Sequence, residues 1–154
     1  MITLFVIGLV AALLVEELTG VIPGGAVVPG FLAVAAARGW VPVAVTVAAA
    51  MAAAGATAAA RRLMPLFGRR RLTYAVLAGA AAVLAAERLG PVIAPARSPI
   101  GPDSLSGGEA LVGYIVPGLL ADRALTQGAW KTAAAAVAAA ALALLASLAV
   151  GAPV

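Results

Sequence analysis

The sequence predicts an all-α integral membrane protein built as two related halves, and three observations predict it. Of its 154 residues, 64% are hydrophobic and only 10% are charged, where an average soluble domain carries roughly a quarter charged residues. The charges are also unevenly placed. Residues 1–60 hold only Glu16, Glu17 and Arg38, and residues 132–154 hold none. Finally, the segment Val-Pro-Gly-x-Leu-Ala occurs twice, at 28–33 and at 116–121.

Four long apolar helices follow in order, each near the roughly 20 residues that a bilayer crossing needs. Residues 1–17 are an aliphatic run ending at Glu16 and Glu17. No Lys or Arg precedes that run, so it reads as a retained first helix rather than a signal peptide. Residues 41–60 are rich in Ala and Val and stop at Arg61 and Arg62. Residues 72–90 begin after Arg69, Arg70 and Arg71, and residues 131–150 close the series from Lys131 onward. The second and fourth are mostly alanine, a strong helix former but weakly lipophilic. Small side chains permit close helix approach, so these two are expected to face protein. A GC-rich coding sequence would enrich alanine too.

Two segments are apolar yet too interrupted to be ordinary spans. Residues 20–33 carry Gly20, Pro23, Gly24, Gly25, Pro29 and Gly30, and residues 113–121 carry Gly113, Pro117 and Gly118. Each half thus reads as helix, Glu-x-x-Gly bend, broken or re-entrant Val-Pro-Gly segment, Trp, helix. Glu17 to Gly20 faces Glu87 to Gly90, and Trp40 faces Trp130. A single membrane domain over 1–154 is expected, with repeat 1 at 1–60, a basic loop at 61–71 and repeat 2 at 72–150. A Pro/Ser/Gly loop at about 96–108 belongs only to the second half.

Corresponding Gly/Pro-interrupted segments point to the functional centre of a repeat-built membrane protein. Proline suits a helix start, so Pro29 and Pro117 are expected to begin short helices. The open N–H groups of those helices, near Val28 to Phe31 and Val116 to Leu119, would favour anions. The alternative is that these turns only let helices pack. Glu17, an ionisable residue beside an apolar run, is a better substrate-path candidate than Glu87, which has Arg88 beside it. Trp40 and Trp130 read as interface-belt residues. There is no Cys and no His, which removes disulfides, Cys/His metal sites and Ser-His or Cys-His catalysis.

Topology turns on whether the broken segments cross. If they re-enter, Lys and Arg divide five against five. If they cross, the halves are inverted and the division is seven (61, 62, 69, 70, 71, 123, 131) against three (38, 88, 97). Positive charge gathers on the cytoplasmic side, which prefers inverted repeats with the 61–71 loop inside.

The stretch from Glu17 to Ala33, the run Phe67-Gly-Arg-Arg-Arg-Leu, and the stretch from Gly113 to Gly128 resemble the PgsC/CapC family of poly-γ-glutamate (capsule) synthesis proteins. The likeness runs over nearly the whole chain, in order. Leu18, Phe67 and Asp122 stand where the family has Arg, Tyr and Asn. The resemblance implies a multi-pass subunit of a poly-γ-glutamate synthase in the bacterial cytoplasmic membrane, not catalytic alone. The partners it implies are a PgsB/CapB-type Mur-ligase-like subunit and a PgsA/CapA-type extracytoplasmic subunit. ATP and a divalent metal are expected in the ligase, and no cofactor in this chain, which has no phosphate-binding glycine loop with lysine. On this reading Glu17, Val28, Pro29, Gly30, Val116, Pro117 and Gly118 border the polymer path. Arg69, Arg70 and Arg71 would meet the polyanion or the ligase, and a homo-oligomer is possible. A small secondary transporter or channel, or a membrane scaffold without a substrate, remain open alternatives.

Overall fold

The computed structural model describes residues 2–64, 68–93 and 107–149. These residues are all-α, with no strand, and form α1 (Ile2–Thr19), α2 (Val27–Arg38), α3 (Trp40–Leu63), α4 (Arg69–Ile93), α5 (Gly107–Gln127) and α6 (Ala129–Ala149). The four long helices expected from the sequence are α1, α3, α4 and α6. Much of the 61–71 loop is helical, since Arg61 and Arg62 lie in the last turn of α3 and Arg69 opens α4. Of the expected 96–108 loop, residues 96–106 lie outside the described residues, while 107 and 108 open α5.

The two Val-Pro-Gly segments fold differently, and the difference is set upstream of the proline. Before Pro29 stand Gly24 and Gly25, with φ of 83° and 104°, a region that L side chains avoid and glycine enters freely. The chain leaves helix at Gly20 and re-enters it at Val27, so Pro29 is the third residue of α2. Its missing N–H falls in the first turn, where no helical partner exists in any case. Gly39, with φ of 132°, ends the helix.

In the second half Pro117 does not begin a helix. It sits inside α5, ten residues from its start. Among the six residues before it only Gly113 is a glycine or proline, the two residue types that most oppose helix. Helix therefore continues to the proline and past it, at the loss of the single bond that an N–H at 117 would have made. The matching motifs led to an expectation of matching breaks. A double glycine four and five residues before the proline, found in the first half alone, decides where the break falls; Gly107 and Gly108 of the second half lie farther off and open α5.

The chain forms two compact units, Met1–Trp40 with Arg123–Val154, and Val41–Asp122. These are not the two sequence halves. The first unit takes α1 and α2 from the first half and α6 from the second; the other takes α3 from the first half and α4 with most of α5 from the second. In the first unit Leu4, Ala11, Ala33, Val34 and Ala143 pack together, drawing α1, α2 and α6 into one core. In the other, Ala49 and Val83 pack with Val45, Ala82 and Tyr114, joining α3, α4 and α5.

The buried stripes of α3 and α6 are small or hydroxylated: Ala49, Ala53 and Thr57 on one, and Ala139, Ala143 and Ser147 on the other. Their hydroxyls are satisfied within the same helix. The Thr46 and Thr57 hydroxyls donate to Pro42 O and Ala53 O at 2.8 and 2.7 Å, and Ser147 donates to Leu144 O at 2.7 Å. Large apolar side chains face outward instead, among them Val10 and Leu14 on α1, Met51 on α3, and Leu142 and Leu145 on α6. Small inside and large apolar outside is the pattern of helices that pack in lipid, where close approach rather than water exclusion holds them. Among the described residues, Trp40–Leu63 and Ala129–Ala149 are long and apolar enough to cross a membrane.

Candidate functional site

On α4, residues recurring every four positions share a face: Ala75, Gly79 and Val83 are buried, with Arg71 and Glu87 at either end. On α5 the matching face carries Tyr114, Gly118 and Asp122. Residues four apart are neighbours on a helix surface, so each helix presents one stripe with glycine in the middle and polar groups outside.

The two stripes meet along their length. Arg71 Nε donates to Asp122 Oδ1 at 2.7 Å. The Tyr114 hydroxyl donates to Glu87, 3.0 Å from each carboxylate oxygen. The rising number on α4 meets the falling number on α5, so the helices are antiparallel. Between the polar ends they approach backbone to backbone. A Cβ placed on Gly118 would lie 2.4 Å from the Val76 Cα, and one on Gly79 would lie 2.5 Å from the Gly118 nitrogen.

The other unit repeats the glycine contact without the polar ends. A Cβ on Gly8 of α1 would meet the Gly30 Cα of α2 at 2.3 Å, and one on Gly30 would meet Phe5 O at 2.8 Å. Its polar feature is elsewhere. The Ile22 N–H donates to Gln127 Oε1 at 3.1 Å, and Gln127 Nε2 donates to Ile22 O at 3.3 Å. One side-chain amide thereby satisfies both backbone groups of a residue in the non-helical 20–26 link, which has no helix to supply partners.

The residues singled out from the sequence divide three ways. Val28, Pro29, Gly30, Val116, Pro117 and Gly118 are all buried in helix contacts, so the Val-Pro-Gly segments are where helices cross closely. Pro117 lies within a helix, so no helix terminus stands at Val116 to receive an anion. Glu17 is exposed at the end of α1, and Glu16 is the half-buried carboxylate beside it. Arg69 and Arg70 are exposed, whereas Arg71 is drawn into the ion pair with Asp122, at side-chain exposures of 22% and 5%.

Tyr114, Asp122 and Gln127 were not among the site residues expected from the sequence, where Asp122 stood out only as a departure from the family's Asn. The four-residue stripe of α5 was the signal for the first two. Nothing local marks Gln127, whose partner is 105 residues away. Among the described residues no three carboxylates come together as a metal site would require.

A family model described as Capsule biosynthesis CapC matches residues 7–133. No curated protein matches the chain, and no solved structure matches it.

Proposed function

Because the chain belongs to the capsule biosynthesis CapC family, we propose that it is the multi-pass membrane subunit of a poly-γ-glutamate synthase. The family match over most of the chain is the observation that carries this reading. The apolar exterior over small, internally satisfied stripes supports the membrane placement. A separate ATP-dependent ligase supplies the chemistry, an extracytoplasmic subunit receives the product, and this chain ties the two together at the bilayer.

Within that reading the chain is two inverted repeats. The burial of α1 and α4 agrees at a spacing of 71 residues, with Leu4, Gly8 and Ala12 buried as Ala75, Gly79 and Val83 are. Helices α3 and α6 agree at a spacing of 90, with Pro42, Ala49 and Thr57 buried as Thr132, Ala139 and Ser147 are. The first register makes Glu16, not Glu17, the counterpart of Glu87. Helix α2 alone, at 12 residues, is about 18 Å long. A full crossing of about 30 Å then asks only about 12 Å of the non-helical 20–26 link, within the reach of seven residues even with its glycine turns. Three crossings per half are an odd number, so the second half is inverted. The five arginines between 61 and 71 then lie in the cytoplasm, with Arg123 and Lys131.

The test is co-expression of the tagged chain with the ligase, followed by affinity purification and incorporation of labelled glutamate. Co-purification, with polymer made only when this subunit is present, is the expected result. A chain that leaves the ligase behind and instead moves a small anion across liposomes on its own would overturn the proposal in favour of a transporter.

A further inference from the structure

We propose that the end of α3 and the start of α4 carry a binding surface for anionic phospholipid headgroups, formed by Arg61, Arg62, Arg69 and Arg70. This rests on the membrane reading above but on neither the polymer nor the ligase.

Among the described residues the charge there has little internal answer. From Leu18 to Ala86 the sequence contains no Asp or Glu. The carboxylate that α5 brings to the cluster, Asp122, pairs with Arg71. The remaining four guanidinium groups are exposed and make no ion pair among the described residues. Their placement on α4 is also unfavourable in isolation. A helix N-terminus is electropositive and favours acidic residues in its first turn, yet that of α4 begins Arg-Arg-Arg with no acid. This uncompensated charge favours an anion from outside the chain.

The neighbours of the arginines identify which anion. Leu63 and Met64 are 85% and 65% exposed, and Leu72 and Tyr74 are exposed as well. Exposed apolar and aromatic groups thus directly follow the guanidinium groups at the end of α3 and in the first two turns of α4. A carboxylate polymer or an acidic protein face would pair the charges and leave Leu63 and Met64 in water. The headgroup region of a bilayer takes both, phosphate against guanidinium and acyl chain against the apolar side chains. Anionic lipid in the cytoplasmic leaflet supplies the phosphates, and each basic residue near that surface is worth about fivefold in binding.

The full chain, purified in detergent, is exposed to phosphatidylglycerol or phosphatidylcholine and its retained lipid is read by native mass spectrometry. Preference for phosphatidylglycerol is expected, falling at least tenfold when Arg61, Arg62, Arg69 and Arg70 are all replaced by Gln. Replacing the same four by Lys keeps the preference, because the charge is kept. Asp122→Asn raises retention by releasing the Arg71 guanidinium. Equal retention of the two lipids by the wild type, or retention unmoved by the Gln replacements, would overturn the proposal. So would displacement of phosphatidylglycerol by a γ-glutamate oligomer at equal concentration, which would assign the surface to polymer. Loss of ligase co-purification with lipid retention intact would sink the functional reading and leave this one standing.

Discussion

Replacing Gly118 with Ala adds one methyl group to the α4–α5 crossing, and its cost follows from what that carbon meets. Its nearest neighbours are the Val76 Cα at 2.4 Å, Ala75 O at 2.6 Å and the Val76 nitrogen at 2.8 Å. All three are backbone, so no rotamer change makes room. Carbon contacts have their optimum at about 3.5–4.0 Å, so the helices must part by about 1 Å, enough to forfeit a quarter to a half of the dispersion energy along the stripe. Overpacking of this kind costs about 1–3 kcal/mol, and the upper end is expected because the obstacle is rigid. Gly30→Ala is milder, since its nearest atom is at 2.8 Å and the next is the movable Phe5 ring at 3.3 Å. Gly55→Ala meets nothing within 4 Å and gains about 1 kcal/mol of helix propensity. Thermal unfolding in detergent should therefore rank the variants Gly55→Ala, wild type, Gly30→Ala, Gly118→Ala, from most to least stable. A Gly118→Ala protein that melts with the wild type would refute the argument from close approach.

Three further perturbations test the polar contacts. Arg71→Gln removes the ion pair of a nearly buried carboxylate and should cost about 1–3 kcal/mol, with Asp122→Asn in the same chain recovering part of it; strict additivity in the double-mutant cycle would show that the pair is not coupled. Gln127→Ala removes both partners of Ile22, so hydrogen exchange at that amide should accelerate at least tenfold while α1 amides hold their protection. Tyr114→Phe keeps the ring packed against Ala49 and Val83 and loses the bond to Glu87, for about 1.5–3 kcal/mol. Tyr114→Ala, which also opens a cavity, should cost at least 2 kcal/mol more; equal stability of the two would place the contribution of Tyr114 in its hydroxyl alone.

The helices were legible because their signals are local. Long apolar runs end at charged residues, and α1, α3, α4 and α6 lie within a few residues of where those runs place them. The paired motifs were legible as sequence but misleading as structure. Pro29 and Pro117 look alike over six residues, while the backbone answers to Gly24 and Gly25, which have no counterpart at the same distance before Pro117. The glycines of the motif were expected at breaks, whereas Gly30 and Gly118 lie within helices, against Phe5, Gly8, Val76 and Gly79. A partner on another helix is invisible to local pattern. The same limit hid Asp122, whose meaning depends on Arg71, and Gln127, whose meaning depends on Ile22. The half-buried position of Glu16 emerged only from the register of inner and outer residues along α1.

The exchange of third helices between the halves has a consequence for how the protein is made. The unit Val41–Asp122 is continuous in sequence, so all of it has left the ribosome once residue 122 has been added and its neighbours have emerged. The other unit begins with residue 2 and is completed by α6, which ends at Ala149. At about 5–20 residues per second, the pair α1 and α2 waits roughly 5–20 s after its own synthesis for the helix that completes its core. During that interval Ala11, Ala33 and Val34 lack the Ala143 side of their contact. The first helices made are thus the last to be enclosed, and a chain truncated before α6 leaves its N-terminal end open to membrane quality control while its middle is already folded.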